Sequence, residues 1–206
     1  QRSSRFFILL DKKLIVFDPH TKFIQEIDQV TPYQSNHFRR CTCFDNCIFM
    51  SYWNVESTVE FYEINTWKFQ QRWLSPITCR ANEFISCIRM NSIEQLAITI
   101  QDVNNPTNQQ FRFEIRDLTF NILASIQLQT DAGIFSRMTL LSDGCWALAN
   151  VDNCYIYIMN KVGEYIEKIN CQGNELHNIA MISKDIVVIR TFDKLLFYDM
   201  NFIDEH

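Results

Sequence analysis

Glycine and proline are scarce in this chain, four of each among 206 residues. A protein built from many short strands ordinarily turns on those two residues. Here the turns must fall to Asn, Asp, Ser and Lys, which tolerate tight backbone geometry less well than Gly. Four glycines also exclude a Gly-rich phosphate loop. No apolar run approaches the roughly 18 residues that span a bilayer, so a membrane is not expected as a partner. The segment Phe6–Leu10 is too short for the core of a signal peptide, and no cleavage pattern follows it. The triplet Asn105-Pro106-Thr107 is disqualified as a glycosylation acceptor by its proline. The first residue is Gln1 rather than Met, which fits an excised domain or a processed product.

What is present is apolar and aromatic. Hydrophobic residues make up 47% of the chain, too many for disorder, and phenylalanine alone accounts for 17 positions. The net charge of −5 disfavours nucleic acid, because a phosphate-binding surface needs a local excess of Lys and Arg. Eight cysteines at irregular spacing, with Cys145 and Cys154 inside apolar runs, read as small buried hydrophobes. That usage favours a reducing, intracellular compartment, cytoplasmic or nuclear.

Internal repetition organises the rest. Four return hairpins align: residues 13–27 (KLIVFDPHTKFIQEI), 58–73, 110–126 (QFRFEIRDLTFNILASI) and 153–169 (NCYIYIMNKVGEYIEKI). A fifth, 194–202 (KLLFYDMNF), runs toward the C-terminus. Aligned on the turn, Asp18, Glu63, Arg116, Asn160 and Asp199 share one position. In the return strand Phe23, Phe69, Ile122 and Tyr165 match, with Ile27, Trp73, Ile126 and Ile169 four residues on; such pairs share a strand face. One more strand precedes each hairpin, and before four of those comes another, led by a large apolar residue: Phe38, Phe84, Phe135 and Leu176. The unit is four consecutive strands, recurring about every 40 to 53 residues. No segment shows a sustained helical period with caps at both ends.

Four-stranded units at that period predict a β-propeller, since one small antiparallel sheet cannot cover both its faces and stacking between neighbours does. The strands ending in an apolar and an acidic residue, as in IVFDPHTKFI and LLFYDMN, resemble the WD40 repeat, with Phe, Tyr, Ile or Met where that family has Trp. Kelch-like and NHL-like propellers remain open. The expected fold class is all-β, a β-propeller of four-stranded antiparallel blades, with about five blades or an open part of a larger ring. One domain, 1–206, would hold blades at roughly 1–30 (partial), 38–74, 84–128, 135–170 and 176–206 (partial). The unpaired strands at either end point to a terminal strand exchange, or to a partner chain or flanking segment that completes the ring.

Propeller topology puts the loops that enter each first strand on one rim. Arg39, Arg40, Arg80, Arg137 and His177 fall there, at matched places in or near the first strands, and arginine forks suit carboxylates and phosphates. Asn104 and Asn105 lie in the longest polar loop, and Tyr33 and Trp53 are aromatics at strand ends. These nine residues are the candidate contacts for a protein or an acidic peptide. The competing reading is that the arginines pair with Glu83, Asp131 and Glu175 in the same loops. His37, Cys41, Cys43 and Cys47 cluster in sequence but match no familiar zinc spacing. No nucleophile–base pair or paired carboxylates stand out, so the chain is expected to be non-catalytic and to need no metal or cofactor. The expected function is a protein- or peptide-binding module, such as the recognition or scaffold domain of a ubiquitin-ligase component. The alternatives are an RNA-binding NHL-like propeller and a propeller hydrolase.

Overall fold

The structure is a computed structural model and describes residues 5–31, 37–53, 57–102, 111–128, 135–171, 176–184 and 186–199. Eighteen strands account for all the regular structure among these residues. They form five antiparallel sheets in chain order, each a blade. Blade 1 holds β1 (Phe6–Leu10), β2 (Lys13–Asp18) and β3 (Phe23–Glu26). In blade 2 are β4 (His37–Phe44), β5 (Cys47–Trp53), β6 (Val59–Glu63) and β7 (Lys68–Trp73). Blade 3 is built of β8 (Glu83–Met90), β9 (Leu96–Asp102), β10 (Phe111–Arg116) and β11 (Ile122–Leu128). Blade 4 follows with β12 (Phe135–Leu140), β13 (Trp146–Asn150), β14 (Tyr155–Met159) and β15 (Tyr165–Asn170). Blade 5 ends with β16 (Leu176–Met181), β17 (Ile186–Thr191) and β18 (Leu195–Asp199). Among the described residues every repeat strand expected from the sequence is present to within a residue or two, and residues 200–202 of the fifth hairpin lie outside them. The chain divides into two compact units, Gln1–Phe84 and Ile85–His206.

The turns bear out in part the expectation set by the shortage of glycine, with Trp, Glu, Phe and Cys joining the residue types it named. Lys22, Asp45, Ser57, Trp67, Glu94, Phe120 and Cys154 all take positive φ, where glycine would be the unstrained choice. Side-chain oxygens hold several turns closed. Asp18 Oδ1 accepts from the amides of His20 and Thr21, Asp117 Oδ1 from Thr119 and Asn121, and Asn160 Oδ1 from Val162 and Glu164. The amides of His20 and Thr21 hold the Asp18 carboxyl below its usual range.

That geometry corrects the alignment by one residue. The equivalent of Asp18 and Asn160 in blade 3 is Asp117, not Arg116, so the acid is not missing from that repeat. The outer strands agree: register shifts beside Tyr62, Arg116 and Met159 bulge out Gln70, Leu123 and Ile166 at one common place. A second common bulge lies in the first strands, at Arg39, Ser136 and His177.

Counting back from the corrected turn position fixes two faces for every blade. The front face carries Val16, Phe61, Ile115, Ile158 and Phe197, two residues before the turn. The back face carries Ile15, Glu60, Glu114, Tyr157 and Leu196, three residues before it. In the first unit, Leu14 and Val16 on the front of blade 1 pack against Ile48, Met50, Tyr52 and Tyr62 on the back of blade 2. The Phe7 ring meets Trp67 edge-on at 6.2 Å, so that indole is a blade-packing residue. In the second unit, Phe113 and Ile115 pack on Trp146, Leu148 and Met159, and Ala147, Ala149, Ile156 and Ile158 pack on Val187 and Ile189. The alternating small and large residues in blade 4 let two sheets approach closely on one side and interdigitate on the other.

Candidate interaction surfaces

The first-strand bulges decide what the rim residues can do. Arg39 and Arg40 sit at the β4 bulge, both half-buried. The Arg39 guanidinium lies 4.5 Å above the Phe84 ring, and Arg40 Nη1 donates to the Arg39 carbonyl at 2.8 Å. Arg80 is exposed in the turn before β8. Its backbone amide donates to Glu83 Oε2 at 2.9 Å, so that carboxylate helps close the turn. The three arginines belong to one unit.

Arg137 and His177 belong to the other unit, and the fold brings them together. Arg137 Nε donates to the His177 carbonyl at 2.9 Å, while the His177 ring lies 6.0 Å from Phe192. Arg89 does the same one blade earlier, donating from Nε to the Met138 carbonyl at 3.1 Å. Ser86 Oγ donates to the Phe135 carbonyl at 2.6 Å. Polar side chains on the first strands therefore stitch each blade of this unit to the next. Arg137 spends part of its donor set on the fold. Trp53 ends β5, whereas Tyr33, Asn104 and Asn105 lie outside the described residues.

Two buried ionic sites went unnoticed in the sequence. Glu60, fully buried, accepts from Arg72 Nε at 2.7 Å, from Arg72 Nη2 at 2.6 Å, from Tyr62 Oη at 2.9 Å and from Tyr52 Oη. Burial first, and the adjoining carboxylate second, push both phenols well above the usual tyrosine range. Glu114, at the same register in blade 3, is paired on both oxygens. Arg112 Nε lies 2.6 Å from Oε1, and Arg116 Nε and Nη2 lie 2.7 and 2.5 Å from Oε2. The Arg116 guanidinium also stacks 4.8 Å over Phe120. The strand FRFEIR carries the signal, since Arg112, Glu114 and Arg116 alternate onto one face. Charge saturated in this way is structural.

A cleft of about 380 Å³ opens between the outer strands of blades 3 and 4. It is lined by Ile126, Gln127, Leu128, Tyr157, Tyr165 and Lys168. The Lys168 ammonium sits 3.8 Å from the centre of the Tyr155 ring and 5.5 Å from that of Tyr157, where the ring faces favour a cation. Tyr157 and Tyr165 meet at 6.3 Å. The site combines apolar floor, aromatic wall and one held positive charge. Cys41 and Cys47 are half-buried and Cys43 exposed, and the described residues include no group of three or more His, Cys, Asp or Glu side chains placed to hold a metal ion. No helix among them is long and apolar enough to cross a membrane.

No protein-family model matches the chain, and no curated protein matches it. Its fold is similar to that of several solved structures. A protein of unknown function from Bacteroides caccae is 9% identical with a TM-score of 0.63, over 96% of this chain and 73% of that one. A chain of the mitotic checkpoint complex is 11% identical with a TM-score of 0.66, over 96% and 59%. The Cps50 (Swd1) β-propeller domain of Myceliophteria thermophila is 9% identical with a TM-score of 0.66, over 95% and 66%. The chain thus spans less than two thirds of the last two. Identities this low speak to the fold alone, and the fold is a WD40-like β-propeller with five blades among the described residues.

Proposed function

We propose that this propeller is a non-catalytic protein-interaction module whose cleft between blades 3 and 4 grips an acidic segment of a partner protein. The observation that carries the reading is Lys168, held over Tyr155 and Tyr157 beside an apolar floor of Ile126 and Leu128. An apolar side chain of the partner would fill the floor, and a neighbouring carboxylate would meet the ammonium, with desolvated aromatics supplying most of the affinity.

The rim residues are a second proposed contact, for acidic or phosphorylated groups. Arg39, Arg40 and Arg80 would serve it in one unit and Arg137 and His177 in the other, with Trp53 at the end of β5, and with Tyr33, Asn104 and Asn105 as further proposed contacts. Supporting it is the pairing of Arg39 and Arg40 at a bulge, a device that re-aims side chains. Three of the chain's cations, Arg72, Arg112 and Arg116, are taken up by Glu60 and Glu114, which weakens the RNA-binding alternative. A place as the recognition domain of a larger assembly, a ubiquitin ligase among them, rests on analogy of fold.

A phage-displayed library of short linear peptides, selected against the wild type and against Lys168→Glu, tests the reading. The wild type should enrich acidic sequences with an apolar anchor, and Lys168→Glu should weaken their binding about tenfold or more. Selection indifferent to both Lys168→Glu and Tyr165→Ala would overturn it.

A further inference from the structure

Two of the eight cysteines face each other across the open end of the hairpin that β14 and β15 form. Beyond Tyr155 and Asn170, the last paired residues of that hairpin, the same register sets Cys154 opposite Cys171. The Cys171 amide donates to the Cys154 carbonyl at 2.8 Å, so the ladder continues through the pair. Residues bonded across antiparallel strands in this way have Cα atoms about 5.5 Å apart, inside the range that a disulfide spans. Alternation along β15 puts Cys171 on the front face of blade 4 with Ile169, and the Cys154 side chain packs into the same core. The other thiol of that core, Cys145, precedes Trp146, whose pairing with Met159 lies at the far end of the sheet.

The two thiols differ in access. Cys171 is buried, whereas Cys154 is half-buried and open to solvent on one side. From blade 5, the half-buried Leu196 and Tyr198 of β18 pack on this core, while Leu195 and Phe197 alternate with them and stand exposed. Burial raises the Cys171 thiol most; a hydrogen bond with Tyr198 works against that rise, and charge on the neighbouring Cys154 adds to it.

We propose that Cys154 and Cys171 are a dithiol modification site, which glutathione disulfide converts into a reversible intramolecular disulfide that closes the β14–β15 hairpin. The thiolate of the accessible Cys154 attacks one sulfur of glutathione disulfide, forming a mixed disulfide and releasing the other glutathione as its thiolate. Cys171 then gives up its proton, and its sulfur attacks the Cys154 sulfur and expels the second glutathione. The two departing thiolates take up the two protons that the cysteines lose. Two protein thiols are thereby oxidised by two electrons, and one glutathione disulfide is reduced to two thiols. The Tyr198 hydrogen bond supports the charge that Cys171 carries in the second step. Reversibility follows from the strand geometry. Cβ atoms of directly opposed residues lie about 4.5 to 5.5 Å apart, and a disulfide draws them to about 3.8 Å, a strain that keeps the bond easy to reduce.

The experiment equilibrates the folded wild type with reduced and oxidised glutathione at neutral pH, blocks the remaining thiols with iodoacetamide and maps the peptides without reduction. With oxidised glutathione in excess, most chains should carry the Cys154–Cys171 cross-link, and dithiothreitol should remove it. The Cys171 amide should exchange its hydrogen about tenfold or more slowly in the oxidised form, because the closed hairpin no longer frays at that end. In Cys171→Ser, Cys154 should keep one glutathione as a stable mixed disulfide; in Cys154→Ser, Cys171 should take up none. A wild type that holds glutathione on Cys154 without cross-linking, links either thiol to a different cysteine, or leaves both unmodified overturns the proposal. So does a cross-link that leaves exchange at Cys171 unchanged. None of these readouts involves Lys168, so the proposed cleft stands or falls separately.

Discussion

Ile15 in blade 1 and Glu114 in blade 3 hold the same back-face position, three residues before the turn. The carboxylate is 1% exposed, whereas the isoleucine belongs to a sheet face that carries Phe6, Ile8 and Ile24 in the open. Burial and polarity are thus reversed from what a finished surface would show. A sealed face can hold a charge, provided its cations are drawn in with it, as Arg116 is fully and Arg112 largely. An open face has no physical use for hydrocarbon unless something covers it. The difference teaches that these faces are defined by what lies on them, and mutation at matched positions should expose that dependence.

The largest effect is expected at Glu114. Glu114→Ala leaves the buried Arg116 guanidinium and the half-buried Arg112 guanidinium facing each other without their carboxylate, and should lower the unfolding free energy by about 3 kcal/mol. Ile15→Ala at the matched position should cost less, about 1 kcal/mol, since a half-buried side chain on an open face leaves no closed cavity. Replacing the triad together, with Glu114→Leu, Arg112→Leu and Arg116→Met, should recover most of the loss, because the desolvation cost of all three charges goes with them. Urea unfolding of the four proteins checks the order; equal losses at Glu114 and Ile15 would mean that blade 1 is covered after all.

On the front face the matched pair is Ile158 and Phe197. Truncating Ile158 opens a cavity among Ala147, Ala149, Val187 and Ile189, and Ile158→Ala should cost about 2 to 5 kcal/mol. Phe197→Ala, the larger deletion by volume, should cost under about 1 kcal/mol in the isolated chain. The ranking inverts the usual rule that removing an aromatic ring hurts most.

Smaller again is the tie between first strands. Arg137→Ala removes the hydrogen bond to the His177 carbonyl and should cost about 1 kcal/mol, while Arg80→Ala, exposed in its turn, should cost nothing measurable. A loss of binding in Arg137 variants must therefore be compared with their melting temperature, and Arg80 is the cleaner probe of the rim.

The fold was legible because the repeat is written in apolar alternation and turn residues, both local signals. The four complete hairpins, the four-strand unit and the first strand of the fifth hairpin were all readable before any contact was known. Arg116 was misplaced for a local reason too: the bulge at Leu123 shifts the outer strand by one residue, and alignment on charge alone ran through it. The candidate cleft was not legible. Tyr157, Tyr165 and Lys168 come from two strands of one blade and Ile126 from another, and nothing in their spacing marks them as neighbours. Buried charge was half visible, since FRFEIR shows the alternation but not the sealing of the face.

The smallest effect contrasts two thiols. Cys43, on β4, is exposed, whereas Cys171 is buried in the core between blades 4 and 5, where burial pushes its thiol up to about 11 from an ordinary value of 9.0. A thiol kept protonated by burial makes the folded state bind more protons than the unfolded chain between those two values. Its contribution to stability is therefore complete below pH 9 and is lost as the pH rises through 11. Two readouts follow. At neutral pH a maleimide should label Cys43 rapidly and Cys171 only at the rate of unfolding or of local opening, because the thiolate is the reactive form and the site excludes water. In alkaline unfolding, Cys171→Ala should flatten the fall in stability between pH 9 and 11 while lowering stability at pH 7 by about 1 kcal/mol for the lost packing. An unchanged slope would mean that the seam between blades 4 and 5 admits water, and with it the contrast between a sealed blade face and an open one would lose its foundation.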